Sequence, residues 1–198
     1  MSTLSFAPTP QEGAWELPSR GTVAMVSLII GESAIFTIFV VAYLFYIGKS
    51  LTGPTPHQVL EVPWFNTICL LSSSFTIMRA EHAIARGAVA RFGIWLTATI
   101  TLGVIFLAGT AQEWHKLIYK NGLTISTNLF GTSFYSLVGL HATHVVVGLV
   151  MLSLVLVFTL SGRVNQHYAE RIQVLALYWH FVDAVWVVVF TVVYILGR

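Results

Sequence analysis

Residues 176–197 read ALYWHFVDAVWVVVFTVVYILG, a run that is hydrocarbon almost throughout. About 20 mostly apolar residues in a helix cross the hydrocarbon core of a bilayer, and this run is long enough. It also carries His180 and Asp183, three residues apart and so on one face of a helix. An imidazole and a carboxyl at membrane depth are costly. What they do there is the question that the rest of the sequence has to answer.

Working outward, four more stretches have the length and apolarity of a span. With the final one the set is 23–47, 64–85, 92–111, 134–160 and 174–196. Arg79, Glu81 and His82 interrupt the last turns of the second, where that helix is expected to emerge among headgroups with its long side chains snorkelling. The connections have loop chemistry: GKSLTGPTPHQVLEVP at 48–63 is rich in proline and glycine, HKLIYKNGLTISTN at 115–128 holds an Asn-Gly turn, and SGRVNQHYAER at 161–171 is short and polar. The expected fold is an all-α membrane protein, a bundle of five transmembrane helices. Residues 1–22 read as a polar N-terminal arm without the basic start and apolar core of a signal peptide, and 23–198 as the transmembrane domain.

Composition agrees. Of the 198 residues, 56% are hydrophobic and 9% charged, against about 25% charged in a soluble domain; a soluble fold of this size has no way to hide so much apolar surface. The net charge of +2 comes from ten basic residues scattered over several loops, which make no nucleic-acid patch. One cysteine, Cys69, excludes an internal disulfide and a cysteine metal cage. Phosphate-binding glycine loops, nucleophile elbows and zincin motifs are absent from the sequence. Six basic residues (Arg20, Arg79, Arg86, Arg91, Arg163, Arg171) fall on the side of the N-terminus and four (Lys49, Lys116, Lys120, Arg198) on the other. The positive-inside rule then predicts the N-terminus inside and the C-terminus outside.

Within or beside the spans lie Glu32 in IIGESAIFTIF, His141 and His144 in VGLHATHVVVG, His180 and Asp183, and Glu113 with His115 in GTAQEWHKL. His141, His144 and Gly148 form one stripe and His180, Asp183 and Trp186 another; both are expected to turn inward. Three readings stay open on the residues alone. The first is a buried polar network that fixes how helices dock. The second is a metal or haem site built from the histidines and carboxylates, although the Glu-x-x-His pairs of di-iron bundles are missing. The third is proton handling by Glu32 or the His/Asp pair.

The same residues resemble a known family. Tyr178-Trp179-His180-Phe181-Val182-Asp183 with Val185-Trp186 is similar to the last helix of subunit III of the haem-copper oxidases. Gly139, His141, His144, Val145 and Gly148 resemble the helix before it, GESAIFTIFVVAYLF places Glu32 on the family's buried carboxylate, and Glu113-Trp114 and FNTICLLSSSFTIMRAEHAIARG resemble two further segments. Gly31 stands where the family usually has serine. The resemblance runs from about Val23 to Gly197 and is to the short five-helix bacterial form, without the first two helices of the seven-helix subunit.

The resemblance implies an accessory subunit of a respiratory terminal oxidase of the cytochrome c type, in the bacterial plasma membrane. Its partners would be oxidase subunits I and II and membrane lipids, with no lipid site assignable to particular residues. Haem and copper belong to the partner subunits; no cofactor, metal or catalytic residue is expected on this chain, which stabilises subunit I and supports its proton uptake. A quinol oxidase, or the related accessory protein of nitric oxide reductases, is the alternative. His141, His144, His180, Asp183 and Glu113 are then read as a structural polar network. Glu32, a carboxyl in apolar surroundings, is expected to be protonated near neutral pH and reactive toward hydrophobic carbodiimide.

Overall fold

The structure, a computed structural model, describes residues 19–49 and 53–197; most of the N-terminal arm and Arg198 lie outside these. Six α-helices follow one another: α1 (Arg20–Tyr46), the short α2 (Pro56–Val59), α3 (Trp64–Ala85), α4 (Val89–Tyr119), α5 (Leu129–Leu160) and α6 (Ala169–Phe190), the last continued by a π-helical turn over Thr191–Leu196. By length and composition four helical stretches are able to cross a membrane: Arg20–Tyr46, Val89–Tyr119, Leu129–Leu160 and Gln166–Leu196. Helix α3 has 22 residues but is less apolar, because its inner face carries hydroxyls.

Helix α3 matches its expected span, and the other long helices run longer than the hydropathy pattern indicates. Helix α4 continues eight residues past Ala111, since QEWHKLIY holds good helix formers and Lys116 sits favourably in its last turn. It stops at the Asn121-Gly122 turn, where Gly122 takes φ 65°. Helix α5 starts at Leu129 because the Asn128 side chain accepts from the Gly131 N–H at 2.8 Å, an N-cap. Ser19 caps α1 in the same way, accepting from the Thr22 N–H at 3.2 Å.

Gly21 lies against Val174 and Gly197 against the Tyr43 hydroxyl, so α1 and α6 run parallel with both pairs of ends together. Helix α6 is central: Trp179 and Trp186 are among the largest fully buried side chains. Trp179 fits because two helices lack side chains there. A Cβ on Gly103 of α4 would sit 3.0 Å from this indole, and one on Gly148 of α5 would sit 2.8 Å from it. Small residues that let a neighbour approach are the usual basis of helix packing in lipid, where the hydrophobic effect does not favour one helix contact over another.

Candidate functional site

The residues singled out in the sequence form three separate groups rather than one network. The first joins α3 to α6. The Ser74 hydroxyl donates to Asp183 Oδ2, and His180 Nδ1 lies 3.1 Å from the same hydroxyl oxygen. A serine hydroxyl has one hydrogen; with that hydrogen on Asp183, it is His180 Nδ1–H that donates to Ser74. His180 Nε2 lies 3.9 Å from Glu81 Oε2, beyond hydrogen-bond reach. Asp183 is 3% exposed and its Oδ1 has no partner. Two indoles of α6 extend the seam along α3: Trp179 Nε1–H donates to Ser73 Oγ at 2.9 Å and Trp186 Nε1–H to Thr67 Oγ1 at 3.2 Å.

The second group joins α1 to α5. His144 Nδ1 is 2.8 Å from the Leu140 carbonyl, one turn back on its own helix. A carbonyl only accepts, so Nδ1 carries a hydrogen. His144 Nε2 lies 3.1 Å from Glu32 Oε2, and this contact is attractive only with a proton in it, on the carboxyl or on the ring. Among the described residues this is the side-chain hydrogen bond between α1 and α5, its two partners partly exposed. The Phe36 ring packs on His144, centroids 5.0 Å apart, and the Tyr178 hydroxyl donates to the His144 backbone carbonyl at 3.2 Å.

The third group joins α4 to the turn after α6. The Tyr194 hydroxyl reaches both oxygens of Glu113, 2.9 Å to each. His115 is not part of it; its ring packs on Tyr119, centroids 4.6 Å apart. His141 joins none of the groups. It is fully buried between Phe106 and Trp186, ring centroids 5.8 and 5.0 Å away, and neither ring nitrogen has a hydrogen-bond partner. Among the described residues no three His, Cys, Asp or Glu side chains converge to hold a metal ion, and the ring that faces the core is enclosed by aromatic carbon.

Sequence reasoning missed Ser74 and Tyr194 as partners. For Ser74 a signal exists: Thr67, Ser74 and Glu81 repeat every seven residues, a polar stripe along one face of α3.

Fold and site together define a multi-pass, all-α membrane subunit in which several inner polar groups tie helix to helix. Its sequence shows where it belongs. The family described as cytochrome c oxidase subunit III matches residues 22–198. Cytochrome c oxidase subunit 3 of Synechocystis is 37% identical, the alignment covering 97% of this chain and 82% of that protein. Cytochrome c oxidase subunit 3 of Alkalihalophilus pseudofirmus is 36% identical, over 84% of this chain and 82% of that one. Quinol oxidase subunit 3 of Bacillus subtilis is 30% identical, over 84% and 82%. The chain belongs to the cytochrome c oxidase subunit III family in its short bacterial form. It is a subunit of a haem-copper terminal oxidase complex whose catalytic site lies in other subunits.

Proposed function

We propose that this chain is the accessory subunit III of a cytochrome c-type oxidase in the bacterial plasma membrane, bound to subunits I and II. It carries no redox centre, braces subunit I and supports proton uptake into it; haem and copper reside in the partners. The observation that carries this reading is the family match over residues 22–198, beside which Asp183, His144 and Glu113 each bond a group on another helix. All five long helices cross the bilayer in this reading, α3 included, because α4 and α6 cover its hydroxyl face. The N-terminus lies inside. Supporting that orientation, Arg20, Arg79, Arg86, Arg91, Arg163 and Arg171 lie at that end, against Lys49, Lys116 and Lys120 at the other among the described residues.

The second reading is a quinol oxidase, favoured by the Bacillus subtilis relative. The two are separated by purifying the complex in mild detergent through a tag on this chain and supplying each donor. Oxygen consumption with reduced cytochrome c supports the first reading; consumption with quinol alone replaces it by the second. Recovery without any oxidase polypeptide would overturn both.

A further inference from the structure

Two arginines on the seam between α3 and α4 stand without a counter-charge. Among the described residues Arg79 of α3 and Arg91 of α4 form no ion pair and no hydrogen bond, and both are exposed. A guanidinium stays charged and offers five N–H donors and no acceptor. That of Arg79 lies over the Trp95 ring, 5.6 Å from its centroid. The Phe75 ring meets the same indole edge to face, centroids 6.4 Å apart. Trp95 therefore fixes the Arg79 cation from α4, one turn on from Arg91 and on the same helix face. Glu81, two residues beyond Arg79, faces His180 of α6 instead and leaves the guanidinium unpaired.

The patch is layered with depth. A short turn containing Arg86 joins α3 to α4, and with that turn on the water side, distance from it measures descent into the bilayer. At 1.5 Å per residue, Arg91 stands about 3 Å along α4 and Trp95 about 9 Å, while Arg79 stands about 9 Å and Phe75 about 15 Å back along α3. Headgroups add about 5–7 Å on each side of the hydrocarbon core. Arg79 and Trp95 thus fall where headgroups give way to acyl chains, the level at which indoles gather, and Phe75 falls among the chains. Phe75, Met78 and Ile94 are 59, 45 and 68% exposed. Thr97 and Thr101, further along α4, donate back to carbonyls of their own helix. The surface lacks an anion at one level and needs nothing but hydrocarbon beneath it.

We propose that Arg79, Arg91 and Trp95 form a binding site for one anionic phospholipid, its phosphodiester held by the guanidiniums and its acyl chains lying over Phe75 and Ile94. The order of cation, aromatic ring and hydrocarbon down the seam complements the order of phosphate, glycerol ester and chain in such a lipid. Guanidinium matches phosphate with paired N–H donors. A zwitterionic lipid carries the same phosphate with an ammonium beside it, so the net-negative headgroup binds better to two free cations. The site requires only that α4 cross the membrane with α3 packed on it, and does not depend on which oxidase the chain serves.

The test adds phosphatidylglycerol, with a photoactivatable group high on one acyl chain, to the intact complex purified in mild detergent. Adducts are mapped to peptides of this chain. Labelling around Phe75 and Ile94 is expected, displaced by plain phosphatidylglycerol and not by phosphatidylcholine of the same chains. Arg79→Gln combined with Arg91→Gln should lower it by about fivefold for each guanidinium removed. Arg171→Gln, beside Gly21 on the α1–α6 side of the bundle, should leave it unchanged. Arg79→Lys keeps the charge and should keep most of the labelling, which tests the site even where the glutamine variants fail to assemble. Equal labelling by photoactivatable phosphatidylcholine, unaltered by the arginine changes, would overturn the site and leave two snorkelling side chains in ordinary lipid. Lipid adducts missing from these peptides would also overturn it; capture of a polypeptide by a photoreactive residue at Ile94 would then show that protein covers the seam.

Discussion

Helices α1 and α6 are both apolar enough to cross a membrane, yet they stand in opposite relations to the rest of the molecule. Nine residues of α6 are buried, including Trp179, Asp183 and Trp186, whereas α1 buries Phe36 and Tyr43. Hydrophobicity does not distinguish them. What does is directional chemistry: α6 gives indole N–H groups to Ser73 and Thr67 and a carboxylate to Ser74, and its largest ring fits between two glycines. Helix α1 has one polar link, Glu32 to His144. In a solvent as apolar as leucine, shape and hydrogen bonds decide which helix sits at the centre.

The largest expected effect tests that contrast directly. Trp179→Ala empties the space between Gly103 and Gly148 and frees Ser73, and should cost about 3–5 kcal/mol, read as a fall in the thermal unfolding midpoint of the purified complex. Phe36→Ala, the corresponding change in α1, should cost clearly less. Equal losses would break the distinction between the two helices.

Next come the glycines. Gly148→Ala drives a methyl into the Trp179 ring, 2.8 Å from its nearest atom, and is expected to destabilise by about 1–3 kcal/mol. Gly31→Ala on α1 meets nothing within 4 Å and should stay within about 0.5 kcal/mol of the parent. Denaturation followed by tryptophan fluorescence compares them; a destabilising Gly31→Ala would mean that α1 is packed more tightly than described.

The polar links sharpen the comparison further. Ser74→Ala strips Asp183 Oδ2 of its donor and should cost about 1–3 kcal/mol. Glu32→Gln keeps a donor for His144 Nε2, so the loss should be no more than the ~0.6 kcal/mol of an average interhelical hydrogen bond. The same variant should abolish labelling by a hydrophobic carbodiimide. Labelling that persists in Glu32→Gln would place the reactive carboxyl elsewhere.

The smallest effect lies outside the bundle. Lys116 Nζ is 2.9 Å from Glu61 Oε2 at the surface, and this hydrogen bond, with the charge behind it, holds the Glu61 carboxyl below its ordinary range. A depressed carboxylate contributes stability above its unfolded-state pKa and loses it as the pH falls through the lower folded value. Because both side chains are largely exposed, the contribution is slight and salt removes it. Glu61→Gln should shift the unfolding midpoint barely at pH 7 and not at all at pH 2.

Much of the helix pattern was legible because long apolar runs and Pro/Gly-rich connections report on backbone alone. The partners of the polar groups were less so. His141 and His144 share a stripe by spacing, yet the 60° between them on α5 is enough to face one into α4 and α6 and the other toward α1. Periodicity shows which face a residue occupies and not which helix lies opposite. Tyr194 was invisible for a related reason: a hydroxyl carries no charge to mark it as costly at depth, so its role emerges only once its partner is placed.

The central claim is that these histidines and carboxyls join helices in an accessory subunit and do not hold a redox centre. The most direct test is a reduced-minus-oxidised optical spectrum of the complex purified through this chain, repeated after its partners have been stripped away. Haem bands in the first spectrum that leave with the partners, with none on the isolated chain, are the predicted result. Haem retained by this polypeptide alone, and lost on replacement of His141, His144 or His180, would contradict it.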